Sequence, residues 1–81
     1  MPGRKSTPHV ALSSARSAGI GERVREARRT AQLTQEALAQ ASGVGTEHIQ
    51  RIERGVANPT VATLYGISDA LKIAVQTLLP D

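Results

Sequence analysis

Two short helical segments joined by a glycine-containing turn, within residues 34–55, constrain the fold of this 81-residue chain more than any other feature. The stretch reads TQEALAQASGVGTEHIQRIERG. Two helices so joined pack at roughly 90–120° only if no bulky side chain intrudes at their junction. Ala39 is small, and Gly43 suits the left-handed conformation in which a chain leaves a helix. Four apolar side chains are predicted to fill the turn and the shared core: Leu38, Val44, Ile49 and Ile52.

Helical spacing and capping residues predict the remaining elements. A first helix over residues 20–31 follows from four apolar positions: Ile20, Val24, Ala27 and Ala31. Thr34 caps the second helix, and the third covers EHIQRIER before Gly55. The fourth helix begins at Thr60, and its predicted inner stripe is Val61, Leu64, Ile67 and Leu71. A short fifth helix runs from Val75 to Leu79, and no β pattern is present. The predicted fold is therefore all-α, with five helices.

The first 19 residues differ in composition from the rest. MPGRKSTPHVALSSARSAG is rich in Pro, Gly and Ser, and it contains three basic residues and no acid. We therefore predict a flexible basic N-terminal arm over residues 1–19, with at most a helical turn around Val10–Ala18, and a folded domain over residues 20–81. Such an arm is either a disordered tail or, in a protein that binds DNA, a segment that reaches around the duplex.

Charge and residue types limit the functions to be considered. The formal net charge is +3, which favours a polyanionic partner. The chain has no cysteine and only two distant histidines, His9 and His48, so we expect no metal and no cofactor. No segment is apolar enough to span a bilayer, and we expect a cytoplasmic protein. No nucleophile–base pair, carboxylate dyad or phosphate-cradling glycine loop indicates an enzyme.

Residues 20–79 resemble the Cro/lambda-repressor-like family of helix-turn-helix DNA-binding domains, often called XRE. The resemblance is carried by VREARRTAQLTQEALAQASGV, by IERGVANP and by DALKIAVQTLL. It implies a compact five-helix domain in which the third helix lies in the major groove of DNA. The second helix would then cross the DNA backbone above it.

The resemblance also implies roles for individual residues. The face of the third helix opposite Ile49 and Ile52 would read bases, through Thr46, Glu47, Gln50 and Arg51. Glutamine and arginine match the edges of adenine and guanine, and glutamate accepts a hydrogen bond from cytosine. Gln35 matches a family glutamine that holds a phosphate at a helix N-terminus. Two further phosphate contacts are expected from Arg54 and Asn58.

Glu53 is an unexpected residue on a surface that attracts anions, because it lies between Arg51 and Arg54. If its carboxylate points inward, it needs a partner, and the resemblance implies that this partner is Arg28. The pair would tie the first helix to the end of the third. Two other arginines of the first helix are interpreted as a solvated face: Arg23 and Arg25.

Three residues depart from the family pattern. Gly45 stands where serine commonly opens the third helix and is a weaker cap. Glu47 places a negative charge on the face assigned to DNA. Ala74 replaces a usual capping or proline position before the last helix.

The leading hypothesis is a sequence-specific double-stranded DNA-binding transcriptional regulator of a bacterium or phage, often a repressor, associated with the nucleoid. We expect a homodimer, with Val75 or Leu79 exposed at its seam. The alternative is an antitoxin or accessory module whose main partner is another protein.

Overall fold

The computed structural model describes residues 12–80. They form four α-helices and one 3-10 helix: α1 (Ser14–Thr30), α2 (Gln35–Ser42), α3 (Thr46–Glu53), α4 (Val61–Leu71) and the 3-10 helix Val75–Leu78. This part of the chain contains no strand, so the all-α prediction is confirmed. The short fifth helix predicted over Val75–Leu79 is present as a single 3-10 turn and not as an α-helix, and its N-cap, Ala74, provides no side-chain hydrogen bond.

Hydroxyl groups cap three of the four α-helices at their N-termini. Ser13, Thr34 and Thr60 each accept a hydrogen bond from the backbone N–H three residues further along, at 3.0–3.2 Å. Such a cap contributes about 1 kcal/mol to helix stability. α2 ends at Gly43, which takes the predicted left-handed conformation with φ 77°. Both ends of α2 are therefore set by residues next to them in the sequence, Thr34 at the start and Gly43 at the end.

The first helix begins six residues earlier than predicted, at Ser14 instead of residue 20. The composition of residues 14–19 places them in the predicted flexible arm, but their Ser, Ala and Gly residues permit close packing. A Cβ atom added to Gly55 would lie 2.9 Å from the Cα atom of Ala18, so the first turns of α1 pack directly against the chain leaving α3. Ser17 is buried as a result. The rest of the predicted arm, residues 1–11, lies outside the described residues.

The core is aliphatic and is shared by all of the helices. Its buried apolar residues are Ile20, Val24, Leu38, Ala39, Ile49, Ile52, Ala57, Leu64, Ile67, Leu71 and Leu78. Leu12, Leu33, Val44 and Ile73 are among the residues that pack against this cluster from its edges. The core residues predicted for the turn between α2 and α3 are thus all in or against the core.

Two residues predicted on inner faces are exposed instead. Val61 is 67% exposed and is the first residue of α4, directly after its N-cap. Ala31 is exposed at the C-cap of α1, where the helix has already ended. Apolar periodicity therefore identifies the middle of each helix better than its ends.

Candidate nucleic-acid interface

α3 presents two chemically different faces. Ile49 and Ile52 are buried in the core. On the outward side, Glu47 and Arg51 are exposed, whereas Thr46, His48 and Gln50 are half-buried. The four residues predicted to read bases thus lie on one short helix, and all of them keep some solvent exposure: Thr46, Glu47, Gln50 and Arg51. An α-helix with side chains is about 10–12 Å across, which matches a DNA major groove about 12 Å wide.

The carboxylate of Glu53 points into the domain and is bound by Arg28. The Glu53 side chain is 2% exposed and the Arg28 side chain 13% exposed. Arg28 donates from Nε to Oε2 at 2.6 Å and from Nη2 to Oε1 at 3.0 Å, forming a bidentate ion pair. Its Nη1 also donates to the carbonyl oxygen of Leu33 at 2.9 Å. The hydrogen bond to Glu53 raises the pKa of the Arg28 guanidinium, outweighing the opposite effect of burial. This pair joins α1 to the last residue of α3.

Two further side chains, Gln35 and Arg25, also contact Glu53. Neither was expected as its partner from the sequence. Gln35, the first residue of α2, donates from Nε2 to Oε1 of Glu53 at 3.1 Å. Arg25 donates to the main-chain carbonyl oxygen of Glu53 at 3.0 Å, and its Nε lies 3.9 Å from Oε1. The interpretation of Arg25 as a solvated residue is therefore wrong. Its position three residues before Arg28 on α1 was the available signal, because such residues share a helix face.

Gly21 allows α1 to approach the end of α3 closely. A Cβ atom added to Gly21 would lie 2.2 Å from the carbonyl oxygen of Ile52 and 2.9 Å from that of Glu53. Any other residue would push the two helices apart at the point where the Arg28–Glu53 pair forms. Gly21, Arg25 and Arg28 thus lie on the same side of α1 and together hold the C-terminal end of α3.

The three predicted phosphate-binding residues lie at the start of α2, at the end of α3 and in the connection from α3 to α4. Gln35 begins α2, with its amide nitrogen already donating one hydrogen bond to Glu53. Arg54 is the exposed C-cap of α3. Asn58 is exposed in the connection to α4, where its Oδ1 accepts a hydrogen bond from the backbone N–H of Leu12 at 3.3 Å. Two of the three side chains therefore have intramolecular partners as well as exposed surface.

The N-terminus of α3 lacks a side-chain cap. Gly45 occupies the N-cap position and offers no hydroxyl, as expected from the sequence. Glu47 lies in the first turn of the helix, where a carboxylate interacts favourably with the helix dipole.

Comparison with known proteins identifies the family of this domain. A family model described as helix-turn-helix matches residues 24–78, which contain α2, α3, α4, the 3-10 helix and the C-terminal part of α1. The chain belongs to the XRE-type helix-turn-helix family.

Relatives of this helix-turn-helix chain include regulators from several bacteria. It is 38% identical over 64 residues to an uncharacterized transcriptional regulator in the ATPase CF(0) region of Rhodospirillum rubrum, matching 79% of this chain and 59% of that protein. The chain therefore spans less than two thirds of that relative's length.

Solved structures share the fold. The restriction-modification controller protein C.AhdI from Aeromonas hydrophila superposes with a TM-score of 0.76 at 32% identity, covering 78% of this chain and 96% of C.AhdI. The P22 c2 repressor protein, solved in complex with a synthetic operator, superposes with a TM-score of 0.69 at 33% identity, covering 74% of this chain and 91% of the repressor.

No group of three or more His, Cys, Asp or Glu side chains within residues 12–80 is arranged to hold a metal ion. None of the helices described is both long enough and apolar enough to cross a membrane.

Proposed function

We propose that this chain is a sequence-specific double-stranded DNA-binding transcriptional regulator, acting as a repressor with α3 in the major groove. The observation that carries this proposal is that α3 is fixed against the rest of the domain along its inner face and at its C-terminal end. Its inner face is held by Ile49 and Ile52, and its last residue by the Arg28–Glu53 pair. A helix fixed in this way can present its outer side chains to base edges with little loss of conformational entropy. Such a role places the protein with the nucleoid in the cytoplasm.

The outer residues of α3 have the chemistry that base reading requires. Gln50 can form bidentate hydrogen bonds with adenine and Arg51 with guanine. Each such contact discriminates against a wrong base by about 1–3 kcal/mol. Thr46 and Glu47 extend the same surface toward the start of the helix. We assign these four residues to direct base contacts.

Phosphate contacts would fix the orientation of α3 in the groove. Gln35 uses one of its two amide N–H groups for Glu53, which leaves the other for a phosphate. The backbone N–H groups at the N-terminus of α2 that precede Ala37, whose own N–H is capped by Thr34, add to the same anion site. Arg54 and Asn58 would hold the backbone on the other side of α3. The hydrogen bond from Gln35 to Glu53 thus connects the residue that would bind a phosphate with the end of α3, and it supports a link between phosphate binding and the position of α3.

A homodimer would double the number of DNA contacts. Leu79 follows the 3-10 helix and is 42% exposed, whereas Val75 is half-buried. We therefore assign the seam of the dimer to the C-terminal side of the domain around Leu79. Two copies would then bind half-sites about 34 Å apart, one turn of DNA. Sedimentation equilibrium of the wild type and of Leu79→Ser tests this assignment.

The proposed function is tested by selecting bound sites from random duplex DNA at physiological salt. We expect a recovered sequence with two related halves. Arg51→Ala should then relax the preference at one position of each half, whereas Gln50→Ala should relax it at another. Arg29→Ala is the matched control, because it removes the same charge from an exposed position on α1.

Two results would contradict the proposal. Recovery of random sequences would exclude specific DNA recognition. A uniform loss of affinity for all sequences in Arg51→Ala, equal to the loss in Arg29→Ala, would assign Arg51 to non-specific attraction instead of base reading.

A further inference from the structure

Glu47 is an acidic side chain exposed on the outward face of α3. The ion pairs found within residues 12–80 both involve Glu53, so none of the described basic groups lies within ion-pair distance of Glu47. Its carboxylate is therefore available to a ligand on the same surface as Arg51. This inference rests on the proposed function, because it concerns which bases that surface accepts.

A carboxylate discriminates strongly among the base edges of a major groove. It can only accept hydrogen bonds, whereas guanine and thymine present only acceptors there through N7, O6 and O4. Cytosine presents the N4 amino group as a donor. Adenine presents a donor at N6 but carries the N7 acceptor beside it. Cytosine is thus the one base whose major-groove groups suit a carboxylate without an adjacent repulsive lone pair.

We propose that Glu47 is a specificity-determining residue that selects a cytosine in each bound half-site. With guanine or thymine at that position, the carboxylate would be desolvated among acceptors without a donor, and with adenine the N7 lone pair beside the N6 donor would repel it. The same residue therefore strengthens the matched complex and weakens every mismatched one.

The spacing on α3 also places the cytosine relative to the base read by Arg51. Glu47 and Arg51 are four residues apart and share a helix face, with a separation of about 6 Å along the axis. The rise of DNA is about 3.4 Å per base pair, so the two side chains reach base pairs that are one or two steps apart. The expected half-site therefore contains the cytosine and the guanine selected by Arg51 within about two steps of each other.

The test compares Glu47→Gln with the wild type on the site that wild-type protein selects from random duplex DNA. Each G·C pair of that site is replaced in turn by the three other pairs, and dissociation constants are measured at fixed salt. We expect one position at which the wild type favours cytosine by about 5- to 150-fold and Glu47→Gln does not. Since glutamine pairs with adenine, the variant should favour adenine at that position.

Glu36→Gln is the matched control. Glu36 is exposed and is the second residue of α2, as Glu47 is the second residue of α3, so both variants lose the same charge at the same helix position. We expect Glu36→Gln to change affinity for all sites by one common factor and to leave the base preference intact. Thermal midpoints of both variants are measured first, so that binding is compared where each is folded.

Three outcomes overturn the inference. If Glu47→Gln keeps the cytosine preference of the wild type, the carboxylate reads no base. If Glu36→Gln loses that preference equally, the effect belongs to net charge and not to Glu47. If wild-type protein selects no sequence at all, the proposed function fails and the inference with it, a result distinct from the first two.

Discussion

Arg28→Ala is the substitution that most directly tests how α3 is positioned. It removes the two hydrogen bonds to the Glu53 carboxylate and the third to the carbonyl oxygen of Leu33. It leaves a carboxylate that is only 2% exposed, with Gln35 at 3.1 Å and Arg25 at 3.9 Å as its remaining polar neighbours. The change therefore creates a buried charge that has lost its main partner.

The expected cost follows from that burial. Breaking a buried ion pair by removing one partner typically costs about 3–5 kcal/mol. Because Gln35 and Arg25 remain nearby, we expect the lower end of this range. A domain of this size has a total unfolding free energy of about 4–12 kcal/mol. At about 4–8 °C for each kcal/mol, a loss of 3 kcal/mol lowers the melting midpoint by about 12–24 °C.

The assay is thermal and urea unfolding of the wild type, Arg28→Ala and Arg29→Ala. Arg29 is the neighbouring exposed arginine, and its removal should change the unfolding free energy by no more than about 0.5 kcal/mol. In the double variant Arg28→Ala with Glu53→Ala, the orphaned charge is gone. Its destabilisation should therefore be smaller than the sum of the two single effects.

The pH dependence of this contribution has a definite sign. The pKa of Arg28 is raised in the folded protein, so the stability that it contributes is fully present at neutral pH. It is lost only as the pH rises through that raised pKa.

Equal and small shifts in the melting midpoints of Arg28→Ala and Arg29→Ala at neutral pH would refute the buried-pair reasoning.

Three further substitutions test other parts of the fold by the same unfolding measurements. Gly21→Ala should cost about 3 kcal/mol, because its Cβ would lie 2.2 Å from the carbonyl oxygen of Ile52; an unchanged midpoint would show that the helices separate freely. Gly45→Ser should stabilise the protein by a few tenths of a kcal/mol by adding a cap to α3, and a lower midpoint would contradict this. Leu78→Ala should cost about 2–5 kcal/mol, because Leu78 is fully buried; a loss under 1 kcal/mol would mean that the 3-10 helix contributes little to the core.

The paired helices α2 and α3 could be predicted from the sequence with little error. Thr34 caps α2, and Gly43 ends it in the left-handed conformation. Ile49 and Ile52 are buried on the inner face of α3 as their spacing indicates. These signals are local, since each depends on residues within one or two helical turns.

The ends of the domain were predicted less well. The Pro-, Gly- and Ser-rich composition of the N-terminal segment predicts flexibility, yet residues 14–19 form the start of α1, where Ala18 packs against Gly55. Val61 fits the apolar spacing of α4 but is exposed in the first turn of that helix. Composition and periodicity carry no information on which neighbour a segment meets.

The amino-acid sequence alone is enough to place α2, α3 and the turn between them, because caps, glycines and apolar spacing act through nearby backbone. The Arg28–Glu53 pair follows from the family resemblance, but the other contacts of the Glu53 carboxylate depend on how three elements pack together. There Arg25 and Gln35 join Arg28, and Gly21 lets α1 come close enough for them to do so. These partners come from helices 18–28 residues away in the chain. Their choice depends on distances of a few tenths of an ångström, which only the packing of all the helices together sets.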